Sequence, residues 1–264
     1  MSSETSWVES MPDLYDAHLG PALFEPFGLH LAALAAALSP RRVLELAAGT
    51  GITTRALVAG LPGAVVTATD LNPPMVAWAA EHVPGATWQV ADAQTLTFAD
   101  GAFDLVVCAF GVMFFPDRPA AFAEAARVLA PGGTMLFAVW DVVEASPFPT
   151  AMMGSLQAVL PDDTPSFIVR VPHGYHSPEQ IRADVTAGGL VVDALEHVVL
   201  PGRARSATAL AEGFGLGSPL RFALAKRGPL EPLVAALGEQ MTRRLGDGPL
   251  EADNAAIVVT AHRP

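Results

Sequence analysis

A chain of 264 residues with 51% hydrophobic and 16% charged residues can bury a full core and lacks the composition of a disordered chain. A net charge of −12 with a single lysine, Lys226, argues against holding DNA, RNA or an anionic membrane by bulk electrostatics. The lone cysteine, Cys108, leaves no internal disulfide and no multi-cysteine metal site, which fits a reducing compartment.

From the N-terminus, Met1 to Trp7 carries an acid and no basic run, so a signal peptide is not expected. The apolar segments are interrupted by Pro, Gly or charge before membrane-spanning length, so a cytoplasmic protein without membrane insertion is expected. Residues 3–19 place Trp7, Val8, Met11, Leu14, Tyr15 and Leu19 at helical spacing. Gly20-Pro21 predicts a break, and residues 22–38 predict a second helix. The pair either packs on a sheet, or the first helix forms a lid with Tyr15, Phe24 or Phe27 lining a ligand site. His30, between two leucines, reads as a structural residue.

Val43 to Leu46 has strand character, Ala47-Ala48-Gly49-Thr50-Gly51 a small-residue turn, and Ile52 to Val58 helical character. Gly49 and Gly51 allow close approach of a ligand or a positive φ. Glu45 puts a carboxylate into a buried strand, which is costly without a partner such as a bound cation. Thr54 stands where a dinucleotide fingerprint needs its third glycine, which disfavours a pyrophosphate. The next strand, Ala64 to Thr69, ends in Asp70, where an acid can accept both hydroxyls of a ribose. Leu71-Asn72-Pro73-Pro74-Met75 then opens a helix with proline in its first turn. A third strand, Thr87 to Val90, leads to Asp92-Ala93. A fourth, Phe103 to Ala109, runs into Phe110-Gly111-Val112-Met113-Phe114-Phe115. Phe110, Gly111, Met113 and Phe114 lie at the carboxyl end of that strand, where ligands sit in open α/β sheets, although Phe114-Phe115 also reads as core. Cys108 has apolar neighbours and reads as a small buried hydrophobe.

A helix from about Pro119 to Leu129, a turn over Ala130 to Gly133 and a strand from Thr134 to Trp140 complete an alternation that predicts a parallel sheet with helices on both faces. Residues 141–175 are proline-rich without clear periodicity. Ser177 to Ala187 predicts a helix, Leu190 to Leu200 a long strand, residues 203–250 helices with loops, and Ala255 to His262 the closing strand.

Together, Glu45 before Gly49-Thr50-Gly51, then Asp70, Asp92-Ala93 and Arg127-Val128-Leu129 running into Pro131-Gly132-Gly133 resemble the class I S-adenosylmethionine-dependent methyltransferases. The style is nearest to the ubiquinone/menaquinone methyltransferase group, with Ala47 where that family usually has its first glycine. The motif-bearing part covers residues 40–140. Tyr175-His176-Ser177-Pro178 and Gly217-Ser218-Pro219-Leu220-Arg221 look like bacterial members of mostly unassigned substrate.

The resemblance implies an α/β fold: a doubly wound, mostly parallel seven-stranded sheet whose last two strands run antiparallel at the edge. It implies an N-terminal helical lid over 1–39, a cofactor core over 40–141, a cap or loop segment over 142–176, and completion of the core over 177–264 with a cap insertion at about 203–250. S-adenosylmethionine, leaving as S-adenosylhomocysteine, is expected against Tyr15, Glu45, Ala47, Gly49, Gly51, Asp70, Leu71, Met75, Asp92, Ala93, Phe110 and Met113. In the family pattern the Asp92 carboxylate takes the adenine amine and the neighbouring amide a ring nitrogen. The implied reaction is an in-line methyl transfer to an O, N or C atom of a small, apolar or aromatic acceptor. His173 and His176, with Tyr175, are candidate bases, or else surface loop residues. With no HExxH and no Cys/His cluster, no metal is expected. A monomer or homodimer is expected, with no nucleic-acid partner. The alternatives are a nicotinamide-dependent oxidoreductase and a non-catalytic ligand-binding protein that keeps the fold.

Overall fold

The computed structural model describes residues 11–264; the expected helical positions Trp7 and Val8 lie outside the described residues. Seven strands form one sheet: β1 (Arg42–Glu45), β2 (Val65–Asp70), β3 (Ala86–Val90), β4 (Phe103–Ala109), β5 (Leu129–Trp140), β6 (Val191–Ala204) and β7 (Leu250–His262). Their order is β3-β2-β1-β4-β5-β7-β6. The first five are parallel, and β7 inserts antiparallel between β5 and β6. The order reverses direction at β1, so the ends of β1 and β4 flank the crevice where an open α/β sheet binds its ligand. The central strands are runs of Val, Leu and Ala with no exposed side chain at Val43, Leu44, Leu105, Val106 or Val107, as strands covered on both faces require.

The break expected at Gly20-Pro21 does not occur. Met11–Leu38 is one helical rod, α1, wound as a π-helix over Tyr15–Phe24. Pro21 has no N–H to give, and the wider winding, with Glu25 N–H donating to Gly20 O, carries the chain past it. Length and composition alone would let this merged helix cross a membrane, contrary to the expected interruption. Its apolar stripe is instead spent on the core: Leu19, Ala22, Leu23, Phe27, Leu31 and Ala35 are buried. The rod packs on α2 (Ile52–Gly60) and on β4, β5 and β6.

The remaining helices are α3 (Pro73–His82), α4 (Arg118–Val128), α5 (Pro147–Val159), α6 (Phe167–Arg170), α7 (Pro178–Ala187), α8 (Ala207–Gly215), α9 (Leu220–Ala225) and α10 (Leu230–Leu245). The proline-rich segment contains a helix that periodicity did not reveal: Pro147 and Pro149 fall in the first turn of α5, where a missing N–H costs nothing. Phe148, Met152 and Leu156 of α5 are buried as it packs against β7 and α10. Strands β6 and β7 run longer than expected because they pair without interruption from Val191↔His262 to Ala204↔Leu250, apart from one irregularity near Val192. Residues between them form α8, α9 and α10.

Where α1 crosses β6 the backbones nearly touch: a Cβ at Gly202 would fall 1.8 Å from the Ala22 carbonyl oxygen and 2.7 Å from Asn254 Nδ2. Asn254 Nδ2 donates to that same carbonyl at 3.0 Å. Gly202→Ala is therefore expected to cost about 3 kcal/mol or more of stability. Thermal denaturation of that variant within a few tenths of a kcal/mol of the parent would refute the close crossing.

Candidate functional site

A cavity of about 360 Å³ opens at the carboxyl ends of β1, β2, β3 and β4, a size typical of small-molecule sites. Its floor begins at Glu45, the last residue of β1, which is 1% exposed. Thr54, in the first turn of α2, donates its hydroxyl to Glu45 Oε2 at 2.6 Å. The residue at the absent third glycine is thus the partner of the buried acid. Burial pushes the Glu45 carboxyl up to about 8, against the Thr54 hydrogen bond, which lowers it.

The turn between them is tightly held. Leu46 N–H donates to Val107 O at 2.8 Å and Ala48 N–H to Thr69 O at 2.9 Å. Gly51 has φ +80°, and a Cβ there would meet the Trp88 ring at 2.9 Å. Ala47 holds φ +53°, a conformation that costs a non-glycine residue on the order of 1 kcal/mol. That backbone requirement explains the usual glycine at this position. Asp70, at the end of β2, is 6% exposed. Its Oδ2 accepts from Gly49 N–H at 2.9 Å, and its Oδ1 accepts from Asn72 N–H at 2.8 Å and Asn72 Nδ2 at 2.9 Å. Burial raises the Asp70 carboxyl above its usual range while these bonds pull it back. Asp92 Oδ1 accepts from Gln94 N–H at 2.9 Å and Gln94 Nε2 at 3.2 Å.

The opposite wall is aromatic. Phe110, just past β4, holds φ +57° and stacks on Trp140 at 3.9 Å between centroids. Tyr15 and Phe24 of α1 stack at 5.0 Å, and Phe24 meets Phe110 edge-on at 5.5 Å. Burial and the nearby Asp70 raise the Tyr15 phenol far above its usual range. Phe114, Phe115, Pro116 and, from the segment between β6 and β7, Pro219 complete this side. Thr50 Oγ1 is buried beside the cavity without a hydrogen-bond partner among the described residues.

Of the residues expected around a cofactor, the structure brings Tyr15, Glu45, Ala47, Gly49, Asp70, Leu71, Met75, Asp92, Ala93 and Phe110 to this one cavity. Gly51 lies behind the turn, and Met113 is 3% exposed and packed into the core, so neither lines it. Phe24 lines the cavity, whereas Phe27 is fully buried against Phe110 and Trp140.

The three candidate catalytic residues are not brought there. His173, 4% exposed, donates from Nδ1 to the Asp141 carbonyl at 2.7 Å. Its ring lies 5.9 Å from Trp140, behind the aromatic layer, and burial lowers its pKa. His176 Nδ1 bonds the His173 carbonyl at 2.8 Å. Tyr175 donates to Asp184 Oδ2 at 2.9 Å beneath the Arg118 guanidinium. The segment turns its side chains into the protein because Trp140 and Asp184 offer partners there. Sequence reading missed Asn72 and Gln94, although each follows its acid by two residues, the spacing of an Asx turn. Thr50 and Pro219 stand inside motifs the sequence marks, Gly49-Thr50-Gly51 and Gly217 to Arg221, but neither motif by itself assigns them to the cavity.

Residues 44–137 match the family model described as a methyltransferase domain. The chain is 35% identical over 177 residues to a demethylmenaquinone methyltransferase of Thermus thermophilus, covering 60% of this chain and 78% of that protein. It is 41% identical over 128 residues to an uncharacterised protein of Mycobacterium tuberculosis, covering 47% of this chain and 46% of that one, so it spans about half the length of this relative. Among solved structures, a phosphoethanolamine N-methyltransferase 2 of Haemonchus contortus in complex with S-adenosyl-L-methionine superposes with a TM-score of 0.61. That match has 19% identity over 97% of this chain and 57% of the other, a likeness of fold.

Two outcomes follow from this geometry. The folded Glu45 carboxyl sits near 8, above its ordinary 4.5, so the folded state holds the proton more tightly than the unfolded one. Its contribution to stability is complete below about 4.5 and is lost as pH rises through 8. The parent should therefore lose up to about 5 kcal/mol relative to Glu45→Gln across that window, read by denaturant unfolding without ligand. A flat difference would remove the buried, proton-bearing Glu45. Separately, a Cβ at Gly111 would meet Ala47 Cβ at 2.5 Å and Cys108 Sγ at 2.7 Å. Gly111→Ala is expected to cost about 1–3 kcal/mol, with Ala47→Gly recovering part of it. Equal costs in both backgrounds would show that the two residues do not interlock.

Proposed function

This chain belongs to the S-adenosylmethionine-dependent methyltransferases, and from that premise we propose that it methylates an O, N or C atom of a small, apolar or aromatic metabolite. The observation that carries the proposal is one cavity with three acidic side chains, Glu45, Asp70 and Asp92, on one side and Tyr15, Phe24, Phe110, Phe114 and Phe115 on the other. The nicotinamide alternative gives way for a physical reason besides family membership: the third glycine of a dinucleotide turn is replaced by a threonine committed to Glu45.

The residues present fit the cofactor. A cationic, hydroxyl-bearing nucleoside answers the acids, and Thr50 Oγ1 is a buried polar atom at the cavity with no hydrogen-bond partner among the described residues. Asp70 already accepts three hydrogen bonds, and the remaining capacity of Oδ2 suits a ribose hydroxyl. Asp92, with the Ala93 amide beside it, is assigned to the adenine, and Glu45 with Thr50 to the charged amino-acid end. Bound there, S-adenosylmethionine supplies a methyl group on a positively charged sulfur that is already a good leaving group.

The chain's own work is alignment and exclusion of water. Approximation of this kind is worth roughly 7–11 kcal/mol when the reacting atoms are held in line. Phe110 fixes one side of the acceptor space, since its backbone strain and its stack on Trp140 leave the ring no other seat. Tyr15 and Phe24 close the space from α1, in the role of a lid. Pro219 brings the segment between β6 and β7 to the mouth of the cavity, in the role of a cap.

Removing a charged acceptor from a buried site costs about 1.5–3 kcal/mol. Asp70→Ala and Asp92→Ala are each expected to weaken S-adenosylmethionine binding at least tenfold by calorimetry, and Glu45→Ala likewise. Undiminished binding in all three variants would displace the cofactor from this cavity. Transfer of a deuterated methyl group into a metabolite extract, read by mass spectrometry, identifies the acceptor class; a strongly hydrophilic, polyanionic product would refute the apolar assignment.

A further inference from the structure

Resting on the methyl-transfer reading, we propose that the accepting atom is a nitrogen uncharged at neutral pH, that of a primary, secondary or tertiary arylamine or of a heteroaromatic ring, on an apolar frame without carboxylate or phosphate. Among the described residues, the ionisable side chains lining the cavity are Glu45, Asp70, Asp92 and Tyr15. An acceptor bearing its own negative charge would be desolvated on the apolar side of the cavity with no Lys, Arg or His among the described lining residues to pair with it, an arrangement that opposes binding.

None of the four groups is placed to take a proton from an acceptor. Glu45 is tied to Thr54, Asp70 to Gly49 and Asn72, and Asp92 to Gln94, all at the tips of β1, β2 and β3. The acceptor side lies beyond β4, where Phe114, Phe115, Pro116 and Pro219 supply no proton acceptor on a side chain. The Tyr15 phenol holds its own proton more tightly than usual. A neutral hydroxyl is a poor nucleophile without a base, whereas a neutral amine attacks through its lone pair unaided.

Charge accounting points the same way. In attack by a neutral nitrogen, its lone pair forms the new N–C bond and the S–C electron pair passes to sulfur. A neutral thioether remains, and the single positive charge moves onto nitrogen. Any N–H proton is then lost to water after release, and a tertiary arylamine or a heteroaromatic ring nitrogen keeps its charge as a quaternary cation. The cavity therefore holds one positive charge before, during and after transfer. The aromatic faces on the acceptor side, which favour a cation in the starting complex, still favour it as the charge moves onto nitrogen. An anionic oxygen would annihilate that charge, and the same wall would then stabilise the starting complex over the transition state.

The test uses the full chain with deuteromethyl S-adenosylmethionine and matched acceptors on one frame, 6-aminoquinoline, 6-hydroxyquinoline and quinoline-6-carboxylate, with a series of substituted N-methylanilines of graded basicity. N-methyl products are expected at least tenfold faster than O-methyl product from the hydroxyl partner, with the carboxylate unreactive. The pH inflection of the rate should follow the pKa of each acceptor nitrogen, and Tyr15→Phe should retain that tracking. O-methylation at an equal rate, an inflection fixed across acceptors, tracking lost in Tyr15→Phe, or no N-methyl product despite calorimetric binding of S-adenosylmethionine would each overturn the nitrogen assignment. Failure to bind S-adenosylmethionine at all would instead overturn the methyl-transfer reading beneath it.

Discussion

A carboxyl group at the end of a fully buried strand is the constraint around which the rest of this molecule is arranged. Glu45 is almost wholly removed from water, with β2 and β4 on either side of its strand. Its nearest recourse is the Thr54 hydroxyl, presented by the first turn of the following helix. That contact fixes the length of the intervening turn, and the turn in turn places Gly49 N–H on Asp70. Two acids on adjacent strands are thereby coupled through five residues of backbone. Burial raises both carboxyls, so the ligand-free site stores unfavourable electrostatics that a cation relieves.

Backbone strain gathers on the same side of the sheet. Ala47 and Phe110 both occupy the left-handed region, and both border the cavity. Strain of this sort persists only where surrounding contacts over-determine it. Here the contacts are visible: Phe110 N–H donates to Ala138 O at 2.9 Å, and its ring is clamped among Trp140, Phe24 and Phe27. Gly111 then has to be a glycine because Ala47 and Cys108 fill the space its side chain would need. The alanine in the first motif and the glycine after β4 are two halves of one steric arrangement.

Helix α1 joins the two ends of the site. Asp16 meets Arg55 of α2 at 2.8 Å, and Trp78 Nε1 of α3 donates to Asp13 at 2.7 Å. Partly exposed pairs such as these contribute little each, about 1 kcal/mol or less. The helix is positioned chiefly by its buried stripe and by the crossing at Gly202. Apolar burial therefore holds the rod that carries Tyr15 over the cavity, and the polar contacts of Asp13 and Asp16 add little to it.

The sequence by itself determined the sheet and its acids. Strands of four to seven apolar residues alternating with helices leave a parallel sheet as the only economical way to bury both faces, and Asp70 and Asp92 are legible because they end such strands. Local signals failed where a partner distant in sequence decided the outcome. Gly20-Pro21 reads as a break, yet burial on β6 and neighbouring strands draws one rod through it. His173, Tyr175 and His176 sit in a loop that suggested access to a ligand, yet Trp140, Asp141 and Asp184 turn His173 and Tyr175 toward the interior, and His176 bonds the His173 carbonyl, half-buried. Pro219 belongs to the cavity only because the segment between β6 and β7 meets the strand ends there, far from them in sequence. Periodicity and turn chemistry are properties of neighbours along the chain, whereas the direction a loop side chain faces depends on which buried groups elsewhere still need a partner, and tertiary structure alone decides that.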